Sequence, residues 1–325
     1  MSQIKFAIPK GSLEEATFQI LEKAWTKVTR KSRTYRVSLD DPQIKVKMVR
    51  PQEIPNLVNA GLYDVGITGN DWVDETKATV ESILDLEYGR IKLVFAIPES
   101  FHFKNLDAMI AAYAKKKKVL RISSEYLTTT SKYIKACKAY KKLYGSKEPM
   151  IVTPWLKLGK NKNVQIYLSF GATEAKPPED VDAIMDVTES GTTLRQNQLK
   201  IIDQVLESTA HLIANKDSLK DKKKREKIYD IVTLLRGAVL GRKNLHIFLN
   251  VKENNLQRLL KEIPSLKKPT ISPLSQKGWY GVNTVIPKSE FHRLVPKLRK
   301  FAQGLVVHEP RQILPLEEIK RDEEN

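Results

Sequence analysis

Apolar and polar residues near the start of the chain alternate as they do in a strand that leads into a helix. Residues 4–8 alternate in this way, and the Pro-Lys-Gly of residues 9–11 ends the pattern. An apolar stripe at helical spacing then covers residues 13–24. Ser12 and Glu15 form a capping-box pattern. The sequence therefore predicts a helix that begins at Ser12 and presents its free amide groups to the loop.

The alternation of predicted strands and helices continues through two further segments. Strands are predicted at 44–49, 63–68 and 91–97, with a helix at 51–60, and after Pro98 the composition becomes polar. A second α/β segment has predicted strands at 119–123, 164–168 and 181–187. This alternation favours mainly parallel sheets covered by helices.

The last 110 or so residues follow another order. A helix predicted at 218–240 connects to strand, helix, strand, strand, helix and strand between residues 245 and 308. A βαββαβ order is that of a ferredoxin-like domain.

Composition narrows the classes of function. The chain has 325 residues with 56 basic and 38 acidic side chains, a net charge of +18 that attracts polyanions. Its lysines are spread over separate clusters without an aromatic-interleaved motif, so we expect no nucleic-acid partner. No apolar run is long enough to cross a bilayer, and no export segment is recognisable, so we expect no membrane partner and a cytoplasmic location. A single cysteine excludes an internal disulfide.

The most informative stretch for chemistry lies between Asp182 and Leu194. Strand alternation places Asp182 and Asp186 on one face, with Asp186 at the carboxyl end, where α/β sheets bind their ligands. The loop that follows offers hydroxyl and backbone donors, and Gly191 permits close approach of a phosphate. A Ser/Gly/Thr loop of this kind is also an ordinary turn in many proteins.

Five segments of the sequence resemble the ATP phosphoribosyltransferase family in its long form, in order along the chain. They are Ile8 to Leu13, Arg50 to Pro55, Asp64 to Gly69, Asp182 to Leu194 and Lys268 to Leu274.

The resemblance implies two α/β domains of the periplasmic-binding-protein type II class and a C-terminal regulatory domain. Catalytic domain I is expected at 1–97 and 186–217, and domain II at 98–185. The linker helix and the ferredoxin-like domain take residues 218–325.

The resemblance also implies the substrate sites. Phosphoribosyl pyrophosphate is expected to contact Asp186, which would also be the catalytic residue, together with Asp182, Glu174, Glu189, Ser190, Gly191, Thr192 and Thr193. ATP is expected at Lys10, Gly11, Ser12, Arg50 and Gly69. The expected cofactor is Mg²⁺, held mainly through the pyrophosphate.

The C-terminal domain is expected to bind histidine as an inhibitor. Matching the regulatory segments of the family places Asn250, Leu266 and Thr270 around that ligand. The resemblance further implies a homo-oligomer, from dimer to hexamer.

One alternative from another functional class fits the same pattern. Two α/β domains followed by a small ligand-sensing domain also describe a non-catalytic sensor that binds a small molecule. Turnover of ATP and phosphoribosyl pyrophosphate separates the enzyme from the sensor.

Overall fold

The computed structural model describes residues 3–30, 34–264 and 268–316. The strands in this part of the chain are β1 (Ile4–Pro9), β2 (Val28–Arg30), β3 (Arg36–Leu39), β4 (Ile44–Val49), β5 (Val65–Gly69), β6 (Glu81–Asp85), β7 (Ile91–Pro98), β8 (Leu120–Ser124), β9 (Pro149–Val152), β10 (Lys157–Leu158), β11 (Asn161–Leu168), β12 (Ala183–Thr188), β13 (Leu199–Ser208), β14 (Ala210–Ala214), β15 (Asn244–Lys252), β16 (Thr270–Pro273), β17 (Trp279–Pro287) and β18 (Ala302–His308). The helices are α1 (Glu14–Ala24), α2 (Ile54–Asn59), α3 (Asn70–Thr76), α4 (Leu106–Lys115), α5 (Leu127–Ala136), α6 (Lys138–Tyr144), α7 (Thr192–Gln196), α8 (Lys216–Lys220), α9 (Lys222–Lys243), α10 (Glu253–Glu262) and α11 (Lys288–Leu298).

The chain folds into two compact units. Unit one contains residues 1–6, 14–48 and 217–325, and unit two contains residues 7–13 and 49–216. The domain boundaries expected from the sequence stay a prediction.

Unit two is built around a seven-stranded sheet in the order β10-β9-β11-β8-β12-β7-β13. The pairs of β9, β11, β8 and β12 are parallel, whereas β10, β7 and β13 are antiparallel to their neighbours. The prediction of mainly parallel sheets was therefore wrong, because the pattern of strand and helix does not reveal which strands run antiparallel to their neighbours.

Apolar residues cover both faces of this sheet. On one face the core includes Phe95, Ile122 and Met185 with residues of α4 and α5, and on the other Ile184 packs with Leu194 of α7. Burial on both faces explains why these strands are near-continuous apolar runs.

The same unit holds a second group of strands, in which the end of β1 is followed by β5, β14 and β6. Residues 86–90 and Thr209 carry the chain from one group of strands to the other. Two backbone hydrogen bonds join these passages, from Leu86 N to Ala210 O and from Ala210 N to Tyr88 O, both 2.9 Å long. The two crossings therefore run as one paired ribbon.

Unit one contains the strands β2, β3 and β4 and the helices α1 and α9. Helix α1 begins at Glu14, two residues later than predicted, because residues 12 and 13 form a turn. The predicted connector helix is interrupted at Asp221, whose side chain caps α9 by accepting a hydrogen bond from Lys224 N. Asp221 lies among lysines, ahead of the apolar stripe that begins at Ile228, so the periodicity alone does not show where α9 begins.

The C-terminal part of unit one confirms the βαββαβ prediction. Its four strands lie in the order β16-β17-β15-β18, and those paired with β15 or β17 are antiparallel. Ile247, Leu249 and Val251 pack against Leu259 of α10 and Leu294 of α11, so both helices cover one face of the sheet. With the two larger sheets, this domain confirms the predicted α/β fold class. Within the described ranges no helix has the length and apolar character needed to cross a bilayer.

The residues after β18 return to the helices of unit one. Arg311 donates hydrogen bonds to the carbonyl oxygens of Lys23, at 3.0 Å, and of Glu22, at 2.6 Å. Gln312 reaches the carbonyl oxygens of Ala24 and Leu234. These donors satisfy carbonyls at the carboxyl end of α1 that the helix itself leaves unpaired.

Two glycines of α9 face this returning segment and give a stability prediction. A Cβ on Gly241 would lie 2.8 Å from the carbonyl oxygens of Pro310 and Arg311, whereas a Cβ on Gly237 would lie 2.3 Å from Cδ2 of Leu314. Backbone must move in the first case, and a side-chain methyl in the second. Gly241→Ala should cost about 2 kcal/mol. Gly237→Ala should be close to neutral, because the gain in helix propensity of about 1 kcal/mol offsets the repacking.

Thermal unfolding of both variants beside the unchanged protein provides the measurement. The midpoint should fall clearly for Gly241→Ala alone. Equal midpoints for the two variants would contradict the assigned backbone contact.

Candidate active site

Strand β12 carries Asp186 at the point where the strand leaves the core. Ala183 to Met185 are fully buried, and Asp186 is the first partly exposed residue of the strand. Its Oδ1 accepts a hydrogen bond from the backbone N of Val187 over 2.8 Å. Burial raises the pKa of Asp186 to about 6, so its carboxylate is mostly ionised at neutral pH.

Side chains from two other loops also act on Asp186. The negative charges of Glu174 and Glu125 raise its pKa, whereas the amide of Val187 and the hydroxyl of Thr173 lower it by bonding to the charged form. Glu174, predicted as a substrate contact, is therefore brought close to Asp186. This arrangement of carboxylates favours a positive charge on a bound molecule.

The loop after β12 is exposed and rich in hydrogen-bond donors. Gly191 has φ +75° and precedes α7, and its N donates to the hydroxyl of Thr188 over 2.8 Å. The hydroxyls of Ser190 and Thr192 lie 2.9 Å apart, and Nη2 of Arg195 lies 3.3 Å from the Thr192 hydroxyl. Glu189 and Thr193 are exposed on either side. The loop can surround an anion with hydroxyls and one guanidinium.

Two loops at the ends of β1 and β4 lie side by side. The backbone N of Lys10 donates to Val49 O over 2.8 Å. Gly11 has φ +108°, and a Cβ built there would lie 3.4 Å from Nη1 of Arg50. The guanidinium of Arg50 thus lies against the backbone of Gly11, and Ser12 follows as an exposed residue. The structure brings these four predicted residues together.

The buried carboxylate of Asp71 explains why a glycine is needed at position 69. A Cβ at Gly69 would lie 2.2 Å from Oδ1 of Asp71, which is 4 % exposed. Asp71 accepts hydrogen bonds from the Ser208 hydroxyl to Oδ1 and from the Tyr126 hydroxyl to Oδ2, each over 2.6 Å. The predicted role of Gly69 in ATP binding stays untested, and the structure gives the glycine this packing reason.

Helices α3 and α5 are joined beside this carboxylate. Glu75 of α3 accepts hydrogen bonds from the backbone N of Thr128 and Thr129, at 2.8 and 2.9 Å. Trp72 stacks on Tyr126 with ring centroids 4.4 Å apart. A carboxylate of α3 thereby caps the amino-terminal end of α5 and interacts favourably with the positive end of its dipole.

Asp182 lies at the opposite end of β12 from the donor-rich loop. Its carboxylate accepts hydrogen bonds from the backbone N of Arg121 over 2.8 Å and from the guanidinium of the same residue. Asp186 follows Asp182 by four positions of extended chain, a distance of about 13 Å. The structure therefore places Asp182 in an ion pair at the strand start and does not bring it to the loop.

The predicted regulatory residues lie in the C-terminal sheet. Asn250 of β15 pairs with Gly281, and Thr270 of β16 pairs with Asn283. Paired residues point to one face, and here it is the face opposite α10 and α11. Oδ1 of Asn250 is buried without a hydrogen-bond partner among the described residues. Leu266 lies outside the described residues.

Sequence reasoning missed three residues of the site. Glu125 follows β8, Thr173 follows β11, and Arg195 lies one helical turn beyond Gly191. Because β8, β11 and β12 are parallel, their carboxyl ends share one sheet edge. The strand-end rule that identified Asp186 could have identified Glu125 and Thr173 as well.

The side chains that could ligate a metal ion are dispersed. In the ranges 3–30, 34–264 and 268–316 no three or more His, Cys, Asp or Glu side chains are grouped so that they could hold such an ion.

Comparison with known proteins identifies the family. The family profile described as ATP phosphoribosyltransferase matches residues 50–237, and the profile described as the HisG C-terminal domain matches residues 241–309. The chain is 37% identical to the ATP phosphoribosyltransferase of Solibacter usitatus over 94% of its length and 97% of the relative. It is 33% identical to that of Pelotomaculum thermopropionicum over 95% and 98% of the two chains.

A solved structure shares the fold. It is the ATP phosphoribosyl transferase (HisG:HisZ) complex from Thermotoga maritima, with a TM-score of 0.55 and 24% identity over 72% of this chain and 96% of that one. Two family profiles in succession and relatives aligned along nearly the whole sequence lead to one conclusion. The chain belongs to the ATP phosphoribosyltransferase family.

Proposed function

We propose that the chain transfers the phosphoribosyl group of phosphoribosyl pyrophosphate to N1 of the adenine of ATP. Pyrophosphate is released, and the reaction is the first step of histidine biosynthesis. The observation that carries the proposal is the partly buried carboxylate of Asp186 directly before an exposed, donor-rich loop. Membership of the family supports the same reaction.

Phosphoribosyl pyrophosphate binds, in this proposal, at the loop of residues 189–193. The hydroxyls of Ser190 and Thr192 bond to the 5-phosphate, Gly191 allows its approach, and Arg195 supplies the countercharge. Glu174 lies on the same side as Asp186, near the ribose. Asp182 is held in its ion pair with Arg121, so in this proposal it stabilises the start of β12 and does not contact the sugar.

ATP binds at the paired loops that carry Lys10 and Arg50. Two cations beside the backbone of Gly11 suit a chain of phosphates, with the guanidinium forming paired hydrogen bonds and the ammonium acting as a point charge. Ser12 offers a hydroxyl next to them.

The reaction needs little general acid or base catalysis. Bond breaking at C1 runs ahead of bond making, so positive charge develops on the ribose. Asp186, flanked by Glu174, is placed to stabilise that charge without reorganisation. The nucleophile is a neutral ring nitrogen, so positioning of the two substrates provides much of the acceleration.

Mg²⁺ enters this scheme with the substrate. The ion prefers phosphate oxygens and retains several waters, so it is bound mainly through pyrophosphate. When bound, it neutralises the charge on the leaving group. We assign it no ligand from the chain.

The C-terminal domain binds histidine in this proposal and inhibits the enzyme. Oδ1 of Asn250, which has no hydrogen-bond partner within the part of the chain that the structure describes, suits an amino group, and Thr270 adds a hydroxyl on the same face. Inhibition requires that histidine bind two states of the enzyme with different affinity. A homo-oligomer and a cytoplasmic location belong to the same proposal, and light scattering with and without histidine tests the assembly.

A spectroscopic assay tests the function itself. Purified protein is mixed with ATP, phosphoribosyl pyrophosphate and Mg²⁺, and the growth of a new ultraviolet absorber is followed. The absorber should require all three. Binding of either substrate without turnover would favour the sensor over the enzyme.

Asp186→Asn should keep the fold and lower turnover roughly 100-fold, because one preorganised charge is removed from the transition state. In the unchanged protein turnover should fall as the pH drops below about 6, since the carboxylate takes up its proton there. Asp74→Asn, an exposed site on α3, is the matched control. Near-normal turnover by folded Asp186→Asn would remove the residue from the mechanism.

Gly191→Val should weaken phosphoribosyl pyrophosphate far more than ATP. The side chain is strained at φ +75° and its Cβ lies 3.4 Å from Nη1 of Arg195, so the loop can no longer close on a phosphate. Gly145→Val, at φ +62° with no atom within 4 Å, imposes similar strain elsewhere. Calorimetric titration with each substrate measures both affinities, and equal losses for the two would show a general collapse.

The double variant Asn250→Ala with Thr270→Ala should lose histidine inhibition while keeping activity. The expected coupling between histidine and substrate is about 1 to 3 kcal/mol, and both affinities should shift by the same factor. Asn254→Ala on α10 serves as control. Undiminished inhibition of the double variant would place the histidine site elsewhere.

A further inference from the structure

Two aromatic side chains of unit two contact each other and yet lie largely in solvent. Phe170 is 71 % exposed and Trp155 is 68 % exposed. Their ring centroids lie 6.1 Å apart, and the ring planes are inclined at 53° to each other. Large aromatic rings contribute most to stability when they are buried, so a pair of exposed rings in contact marks a place where a ligand or a partner binds.

The loop that carries Phe170 is anchored at both ends. Ser169 and Thr173 are each 2 % exposed, and their hydroxyl oxygens lie 2.8 Å apart. The backbone N of Ser169 donates a hydrogen bond to the carbonyl oxygen of Ser124, at the end of β8, over 3.0 Å. Gly171, with φ +100°, allows the chain to turn between these anchors. Phe170 therefore lies at the exposed end of a short loop with a fixed start and finish.

Trp155 lies in a second closed turn, between β9 and β10. The backbone N of Thr153 donates to the carbonyl oxygen of Leu156 over 2.9 Å, and the backbone N of Leu156 donates to Oγ1 of Thr153 over 3.1 Å. The order of the sheet places β9 on the side of β11 that is away from β12. Trp155 therefore contacts Phe170 from the side of β9, and the other side of Phe170 is left toward β12.

Phe170 and Asp186 belong to the same edge of the sheet. Strand β8 pairs in parallel with β11 on one side and with β12 on the other. Phe170 lies two positions after Leu168, the last residue of β11 in this pairing, and Asp186 lies two positions after the paired Ile184 of β12. Neighbouring strands are about 4.8 Å apart and one strand lies between β11 and β12, so the two loops begin about 10 Å apart.

The proposed reaction requires a planar group in this space. Asp186 faces C1 of the ribose in that proposal, and N1 of the adenine must approach C1 to within about 3.5 Å. A base in contact with an aromatic ring lies about 3.5 to 4 Å from it. Both distances fit within the separation of about 10 Å between the two loops. Lys10 and Arg50 suit the phosphates of ATP, whereas the adenine has no partner among the residues proposed for ATP.

We propose that the adenine of ATP stacks on Phe170 and that Trp155 is a positioning residue, which holds the Phe170 ring from the side of β9. The inference rests on the proposed function, because that function places the base beside the reacting carbon. Stacking uses the face of the base. The lone pair of N1 lies in the plane of the ring, so it stays available for attack on C1.

Calorimetric titration tests the inference without turnover. ATP should bind Phe170→Ser about tenfold more weakly than it binds the unchanged protein, because the stacking of the base is lost. Inorganic triphosphate, which has no base, and phosphoribosyl pyrophosphate should bind both proteins equally. Leu62→Ser changes another exposed apolar residue of unit two, at 56 % exposure, and as the matched control it should leave all three affinities unchanged.

Further variants separate stacking from general apolar contact. Phe170→Tyr keeps a ring and should bind ATP like the unchanged protein, whereas Phe170→Leu keeps apolar surface alone and should lose most of the tenfold. Trp155→Ala should weaken ATP by a smaller factor, and Trp155→Phe should restore the affinity. Trp155→Ala added to Phe170→Ser should cause no further loss, because a positioning residue acts only through the ring that it holds.

The outcomes distinguish the inference from the function on which it rests. A protein that lacks transferase activity, but whose affinity for ATP depends on the Phe170 ring, would refute the function and keep the stacking site. Equal affinity of the unchanged protein and folded Phe170→Ser for ATP would overturn the inference, and so would equal losses for ATP and inorganic triphosphate. Light scattering tests the other occupant, a second copy of the chain. A lower mass of Phe170→Ser with unchanged ATP affinity would assign the two rings to an interface between copies and would also overturn the inference.

Discussion

The buried carboxylate of Asp71 is the constraint on which unit two depends. A carboxylate that is 4 % exposed would be costly without partners, and Ser208 and Tyr126 supply one hydroxyl to each oxygen. These partners come from the crossing between the two groups of strands and from the start of α5. Glu75 adds a second link between α3 and α5. One buried negative charge thus holds three segments of unit two in a single arrangement.

Charged side chains of opposite sign gather in different parts of unit two. The carboxyl ends of β8, β11 and β12 share an edge that collects Glu125, Glu174 and Asp186. The loops after β1 and β4 collect Lys10 and Arg50. A reaction that develops positive charge on a sugar while handling polyphosphate needs both kinds of surroundings, and parallel strands provide the acidic one through backbone geometry alone.

Sequence patterns predicted the βαββαβ domain in full because every element there carries a clear period and the strands follow one another closely. They also placed Asp186 and its loop at a strand end. They failed where a contact comes from distant residues: nothing local shows that Asp182 pairs with Arg121, or that Gly69 is required by Asp71. Edge strands such as β13 were not recognised as antiparallel, since hydrophobic runs do not encode direction.

The return of the chain after β18 has a mechanical consequence for the C-terminal domain. Helix α9 leads into the domain. The segment that follows the domain carries Arg311 and Gln312, which donate hydrogen bonds to the carboxyl end of α1. A domain connected through a single segment can move independently of the rest of the chain. A domain held at two points can move only if the elements at both points move with it. A rearrangement of the C-terminal sheet therefore displaces the segment after β18, and α1 is displaced with it because the two are hydrogen-bonded.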